Sequence, residues 1–192
     1  MGINMPDKTS KTTERIILGI DPGSQVMGYA VLITTGSKAT LQTCGVERFT
    51  QWDDHLLRIK AVFSSTITLL EEYLPDELAI EAPFFGKNVQ AMIKLARAQG
   101  ACIAAALSRD IPVTEYAPRK VKQSVTGKGN ATKEQVAYMM QSLLGVQIGS
   151  LPLDATDACA VALCHYYSQT LVPGRPAKSW ARFVSENPGR IS

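Results

Sequence analysis

Four carboxylates in three short contexts carry the first chemical signal in this chain. Asp21 closes the apolar run Ile16-Ile17-Leu18-Gly19-Ile20 and opens Asp-Pro-Gly-Ser. Glu81 closes Leu78-Ala79-Ile80, and Asp154 and Asp157 lie three apart in Leu153-Asp154-Ala155-Thr156-Asp157-Ala158. Each has an ordinary explanation when taken alone. Asp-Pro-Gly is turn chemistry, a glutamate at a strand end can face water, and acids at a helix start answer the helix dipole, with Asp154 as N-cap and Asp157 at N3. Residues three apart on a helix share a face, so the pair can cap the helix and ligate a metal at once. Two acids at strand ends and two at the start of a helix packed on the same sheet can converge. Like charges about 4 Å apart then repel by on the order of 4 kcal/mol per pair at an effective dielectric near 20, and divalent cations relieve that repulsion. Carboxylate oxygen alone suits Mg²⁺, with Mn²⁺ as a substitute, rather than zinc. Two such ions roughly 4 Å apart clamp the attacking and leaving oxygens of a phosphodiester. The chemistry expected is metal-assisted phosphodiester hydrolysis.

A second signal is positive charge. Arg119, Lys120, Lys122, Lys128 and Lys133 fall within fifteen residues that contain no acid, a local excess of five in a chain whose formal net charge is +3. Such a stretch is either a solvated face or a set of phosphate contacts, and the second reading implies salt-dependent binding. Gly127 and Gly129 flank Lys128 in a segment read as flexible, but Gly-Lys-Gly-Asn is not a Walker A loop, so a P-loop nucleotide site is rejected. Phe84 and Phe85 follow Glu81 directly. An aromatic pair after a strand commonly joins the core, yet beside catalytic carboxylates Phe84 can stack on an unpaired base.

The elements that must position these groups are legible in the hydrophobic pattern. Residues 1–15 read as a disordered leader. Strands are expected at 15–21, 27–34 and 39–49, close enough in sequence for an antiparallel meander. Leu56, Ile59, Phe63, Ile67 and Leu70 are spaced as one face of a helix that Pro75 terminates. A strand over Glu77–Glu81 follows. Val89, Ile93, Ala96, Gly100, Ile103 and Leu107 mark a second helix, whose small residues would let it approach a neighbour closely. Pro112–Tyr116 is the fifth strand. Thr132 and Gln135 form a capping-box signature that opens a helix through Leu144, and Ala155–Tyr167 is the last long helix. Beyond residue 170, Pro173, Gly174, Pro176 and Pro188 dilute any periodicity, and 171–192 reads as a mobile tail. A meander followed by helix–strand alternation predicts a single α/β domain over 16–170, one mixed sheet with helices against its faces.

The bulk properties are compatible with this. The 192 residues are 45% hydrophobic and 19% charged, which excludes disorder of the whole chain. The four cysteines, Cys44, Cys102, Cys159 and Cys164, sit in apolar stretches without ligand spacing and are expected to pack as small hydrophobes. With only His55 and His165 besides them, no ordinary zinc site can be assembled. No apolar run reaches the roughly 18 residues of a membrane span, and the start lacks the apolar core of a signal peptide. A reducing cytoplasm is the expected compartment.

Several segments are together more specific than any one motif. Ile17-Leu18-Gly19-Ile20-Asp21-Pro22-Gly23-Ser24 with Gly28-Tyr29 behind it, Ala79-Ile80-Glu81, Glu115-Tyr116-Ala117-Pro118-Arg119-Lys120-Val121-Lys122-Gln123, and Asp154-Ala155-Thr156-Asp157-Ala158 resemble, in order and separation, the RuvC family of Holliday-junction resolvases. The resemblance spans residues 16–170. It implies a ribonuclease-H-like fold with a five-stranded mixed sheet and a two-fold symmetric dimer. The activity implied is Mg²⁺-dependent cutting of four-way DNA junctions in recombination and repair. Its catalytic, metal-binding carboxylates fall on Asp21, Glu81, Asp154 and Asp157, with two ions per site. Its base-stacking aromatic falls on Phe84, and its DNA-contacting lysines on Lys122 and Lys133. Arg119 and Lys128 are added as DNA contacts on charge alone. The implied partners are four-way junction DNA, a second copy of the chain and the branch-migration helicase complex. Trp180, Arg182 and Phe183 lie beyond the match and are further candidates for contact with DNA or with that complex. Ile20-Asp21-Pro22-Gly23-Ser24 also resembles the first phosphate loop of sugar-kinase and actin-like ATPases, but those folds need a second such domain, for which this chain is too short. A junction-binding protein without nuclease activity is the remaining alternative, and it has no need of all four acids.

Overall fold

The computed structural model of the chain describes residues 13–83, 88–145 and 151–170. The leader through residue 12, Phe84, Phe85 and the tail from 171 lie outside the described residues. Strand β1 (Glu14–Asp21) begins at Glu14, one residue before the strand expected at 15–21, so the sheet takes in the last two residues of the expected leader. It pairs antiparallel with β2 (Val26–Thr35), which pairs antiparallel with β3 (Lys38–Arg48), forming the expected meander. Helix α1 (His55–Tyr73) leads to β4 (Glu77–Glu81), which lies parallel to β1 on its other edge. Helix α2 (Val89–Leu107) then leads to β5 (Val113–Tyr116), parallel to β4. The sheet order is β3-β2-β1-β4-β5. Helices α3 (Pro118–Thr126), α4 (Lys133–Leu144) and α5 (Leu153–Thr170) complete the chain.

Side chains alternate across each strand, and the two faces of the sheet build two cores. Leu18, Ile20, Val31, Leu78 and Ile80 meet α1 and α2 through Val62, Leu69, Leu70, Ala98, Cys102 and Ala105. Ile17, Ala30, Leu32, Ala79 and Tyr116 meet α3, α4 and α5 through Val121, Val125, Val136, Met140 and Ala158–Cys164. Of the cysteines, Cys102, Cys159 and Cys164 are buried and Cys44 is half-buried, as their apolar surroundings imply.

Helix α1 turns inward part of the stripe its spacing suggests, with Leu70 buried and Ile59 and Ile67 packed on the core, whereas α2 turns a different face. On α1, Val62, Thr66, Leu69 and Leu70 are buried, while Leu56 is 70% exposed. On α2, Ala98, Ala101, Cys102, Ala105 and Ala106 pack inward, while Val89, Ile93 and Leu107 are exposed and nothing approaches Gly100. An alanine-rich helix is apolar over most of its circumference, so the larger residues mark a stripe without marking the core side. Helix α3 is an element that the basic stretch conceals. Pro118 stands at its first position, Gly127 ends it at φ +75°, and Val121 and Val125, four apart, are buried; each is a helix signal in its own right.

Helix α5 lies against the middle of the sheet at unusually close range. Its residues Ala158 to Tyr166 are buried on every side. A methyl group built on Gly19 would stand 2.5 Å from the Ala158 carbonyl oxygen, and one on Gly28 would stand 1.9 Å from the Asp154 carbonyl oxygen. Glycine in a strand interior serves this kind of backbone approach. Gly28→Ala is therefore expected to push the start of α5 off the sheet and to lower stability by about 1–3 kcal/mol, the usual cost of overpacking. Urea unfolding measures it, and wild-type stability in Gly28→Ala would contradict the contact.

Candidate active site

The site is assembled by strand register and by α5. In the parallel ladder Ile20 is opposite Ile80, so Asp21 and Glu81 end neighbouring strands side by side. Alternation puts both on the sheet face that carries Gly19 and Ala79, the face that α5 covers. Asp21 pairs across β2 with Gly28, and Gly28 lies directly beneath the Asp154 backbone. The same two glycines that admit the helix therefore bring its first turns to the strand ends. The start of α5 differs from the capping arrangement expected. The Pro152 carbonyl accepts the first helical hydrogen bond, from Thr156 N at 3.2 Å, and the helix opens at Leu153. Asp154 and Asp157 are thus inside the helix, one turn apart, rather than at N-cap and N3. Their side chains answer to the site.

Electrostatics gives the convergence its physical content. Asp21 is pushed up from the usual carboxylate range to about 8, first by burial and then by the charges of Glu81, Asp157 and Asp154, with Lys133 opposing. Glu81 is also raised, by burial and by Asp157, against a hydrogen bond with Asp21 and the charges of Lys133 and Lys122. The other three predicted carboxylates therefore all act on Asp21. Lys133, at the start of α4 and fixed there by the Thr132–Gln135 capping box, donates from Nζ to Asp157 Oδ2 at 2.7 Å. Its own pKa is raised, first by that hydrogen bond. Among the described residues no three His, Cys, Asp or Glu side chains already close into a metal cage. The donor set nonetheless fits a hard divalent cation: it is all carboxylate oxygen, half-buried, and held partly protonated by mutual repulsion that a cation would relieve.

The basic residues divide into two groups. Lys122 and Lys133 act on the carboxylates. Arg119 and Lys128 are exposed, with Arg119 packed over Gly129 and the Lys128 backbone closing the end of α3 through Thr126, and neither is brought to the acids. Lys120 lies over the Tyr116 ring, 4.9 Å from its centre. Phe84 lies outside the described residues.

Beneath the site runs a buried polar chain that the sequence does not announce. Tyr116 O–H on β5 meets His165 Nδ1 on α5 at 2.9 Å, and His165 Nε2 meets Glu77 on β4, which also pairs with Arg15 on β1. A carboxylate only accepts, so Nε2 carries a proton in its bond to Glu77. Burial raises Glu77, but the His165 hydrogen bond and the His165 and Arg15 charges outweigh it and leave the carboxyl below its usual value. The chain links the helix bearing Asp154 and Asp157 to the strand bearing Glu81.

Two outcomes follow. Glu77→Ala strands a buried histidine and is expected to cost about 3–5 kcal/mol in urea unfolding, against about 1 kcal/mol for Tyr116→Phe; equal, small losses would remove the network from the foundation of the site. In the metal-free protein the folded state holds the Asp21 proton up to about pH 8, whereas the unfolded chain loses it near 3.8, so stability falls as pH rises across that window. The stability of Asp21→Asn relative to the wild type should accordingly rise from about pH 4 to about pH 8. A difference that stays constant would mean that Asp21 is neither buried nor crowded.

Comparison with known proteins agrees with this geometry. The family model of the crossover junction endodeoxyribonuclease RuvC matches residues 17–165. The RuvC of Cytophaga hutchinsonii is 50% identical over 188 residues, covering 97% of this chain and 94% of that protein. The RuvC of Porphyromonas gingivalis is 50% identical over 185 residues, covering 93% and 97%. Among solved structures, T. thermophilus RuvC in complex with Holliday junction substrate superposes with a TM-score of 0.76 at 31% identity, covering 82% of this chain and 96% of that one. With an acidic strand-end site on a five-stranded mixed sheet and matches of this extent, the chain belongs to the RuvC family of crossover junction endodeoxyribonucleases.

Proposed function

We propose that this chain resolves four-way DNA junctions by hydrolysing one phosphodiester bond on each of two symmetric strands. The observation that carries the reading is the crowding of Asp21, Glu81, Asp154 and Asp157 at one half-buried end of the sheet, where burial and then the neighbouring charges raise Asp21 to about 8, an arrangement that calls for cations. Mg²⁺, with Mn²⁺ as substitute and two ions per site, supplies charge for the phosphate oxygens and activation of the attacking water. Asp21, Glu81, Asp154 and Asp157 would hold those ions, and binding them would favour the ionised form of Asp21. Lys133 restrains Asp157 and offers an ammonium beside the reacting phosphate. Lys122 faces Glu81 and contacts the DNA backbone. Arg119 and Lys128 extend that backbone contact, and Phe84, three residues after Glu81, stacks on an unpaired base.

The reading also takes the chain as a two-fold dimer, since a symmetric dimer presents two sites to equivalent strands of a symmetric junction. The outward stripe of α2, with Val89, Ile93 and the open backbone at Gly100, supports a close contact between copies. The branch-migration helicase complex is the further partner, and the cytoplasm the compartment. No helix among the described residues is long and apolar enough to cross a membrane.

The test is cleavage of labelled mobile and immobile four-way junctions beside linear duplex, with and without Mg²⁺. Paired symmetric nicks that require the ion, in junctions only, are expected. Asp21→Asn and Asp154→Asn should retain junction binding and lose at least about 100-fold in cleavage, since even residues that only support metal ligands cost 10–100-fold. Tight binding without any cut by the wild type would favour the binding-module reading, and equal cutting of duplex would remove the junction preference.

A further inference from the structure

A groove of about 540 Å³ opens beside the carboxylates, between the β1–β2 turn at residues 23–26 and the first turns of α2, with Asp154 on its wall. Asn88, Gln90 and Lys94 line the α2 side. The start of α1 lies at the same end of the sheet, because Phe49, just before it, donates its backbone N–H to the Gln25 carbonyl in the turn at 2.8 Å. Lys94, on the groove wall, also belongs to a cluster on its far side. Lys94 and Arg97 from α2 and Arg58 from α1 all act electrostatically on His55, the first residue of α1.

This cluster is short of negative charge. Among the described residues Lys94 and Arg97 have no ion pair, and Arg58 donates from Nε to the Trp52 carbonyl at 2.5 Å without meeting a carboxylate. The one acid that acts on His55 is Asp54, whose carboxylate is already engaged in capping α1 through the Leu56 and Leu57 N–H groups at 2.7 and 3.0 Å. Both ring nitrogens of His55 are covered and lack a hydrogen-bond partner. Arg58, Lys94 and Arg97 all bear on one imidazole whose single opposing acid is already committed, and an external anion on the Lys94 side of the groove offsets that excess of positive charge. The groove joins the cluster to the carboxylates, so the anion and the scissile phosphate can belong to one polymer.

Resting on the function proposed above, we infer that Arg58, Lys94 and Arg97 form a second phosphate-binding track, along which the DNA backbone continues from the cut site through the groove beside Asp154. It is separate from Lys122 and Lys133, which stand on α3 and α4 beyond the other sheet face. The ligand is a run of phosphodiesters, and the amides of Asn88, Gln90 and Gln25 border its path.

The experiment is the salt dependence of four-way junction binding by the full chain, without divalent ions. It compares the wild type, Lys94→Gln, the triple variant Arg58→Gln/Lys94→Gln/Arg97→Gln, and Lys38→Gln. Lys38 is exposed in the β2–β3 hairpin, paired with Thr35 at the opposite end of the sheet. Each lost phosphate contact should flatten the log K against log salt slope by about 0.9 on duplex arms, so Lys94→Gln is expected to lower it by about 1 and the triple variant by roughly 2–3. Lys38→Gln should leave it unchanged. Far-ultraviolet circular dichroism and urea unfolding check that the variants fold, and Lys94→Gln, a single exposed change, carries the test if the triple variant does not. Wild-type slopes in Lys94→Gln, with the wild type binding and cutting junctions, would overturn the track alone. A wild type indifferent to junctions would overturn the function and the track with it.

Discussion

Helix α5 lies so near strands β1 and β2 that neither Gly19 nor Gly28 leaves space for a methyl group, and the rest of the molecule is arranged around that approach. The helix is buried on all sides because the sheet lies beneath it and α3 and α4 pack over it. Small residues on its lower face, Ala158 and Ala162 among them, allow the backbones to come together. This closeness carries Asp154 and Asp157 down to the ends of β1 and β4. A helix held off by ordinary side chains would leave two carboxylates on the sheet and two above it, and the site would be two weak pairs.

Once gathered, the four acids define the electrostatics of the active end. Burial and mutual repulsion keep Asp21 protonated to about pH 8 in the metal-free protein, and Lys133 compensates only part of the charge. The remaining demand for positive charge, presented through oxygen donors alone, is what a hard cation would meet. Such a site works against the fold that contains it, and the buried Tyr116–His165–Glu77–Arg15 chain is placed to resist this. It crosses from β5 through α5 to β4 and β1, tying together the elements that carry Glu81, Asp154, Asp157 and Asp21.

The two sheet faces divide the labour. Helices α3, α4 and α5 supply the lysines and the helical carboxylates. On the opposite face α1 and α2 leave Leu56, Val89 and Ile93 exposed, and Lys94 lines the groove that Asp154 also borders. Apolar and cationic surface on one layer is what a protein needs if it meets both a copy of itself and a polyanion.

The sequence by itself determined the class of fold and its five strands, and it marked the four acids that the fold brings toward one end of the sheet. Those features are local: alternation, helical spacing, the Thr132–Gln135 capping box and acids at the ends of apolar runs each depend on a few adjacent residues. It also contained the signals for α3, in Pro118, Val121, Val125 and Gly127, although the density of positive charge drew attention away from them. Tertiary structure alone decided which side of α2 faces inward, because an alanine-rich helix offers several apolar faces and only the neighbouring surface selects one. It alone carried Asp154 and Asp157, which stand within α5 rather than at its cap, down to the strand ends, since Gly19 and Gly28 let the helix backbone approach. Tertiary structure also joined Tyr116, His165, Glu77 and Arg15, residues up to 150 positions apart in the chain. No local rule relates them; burial at the meeting of three strands and a helix does.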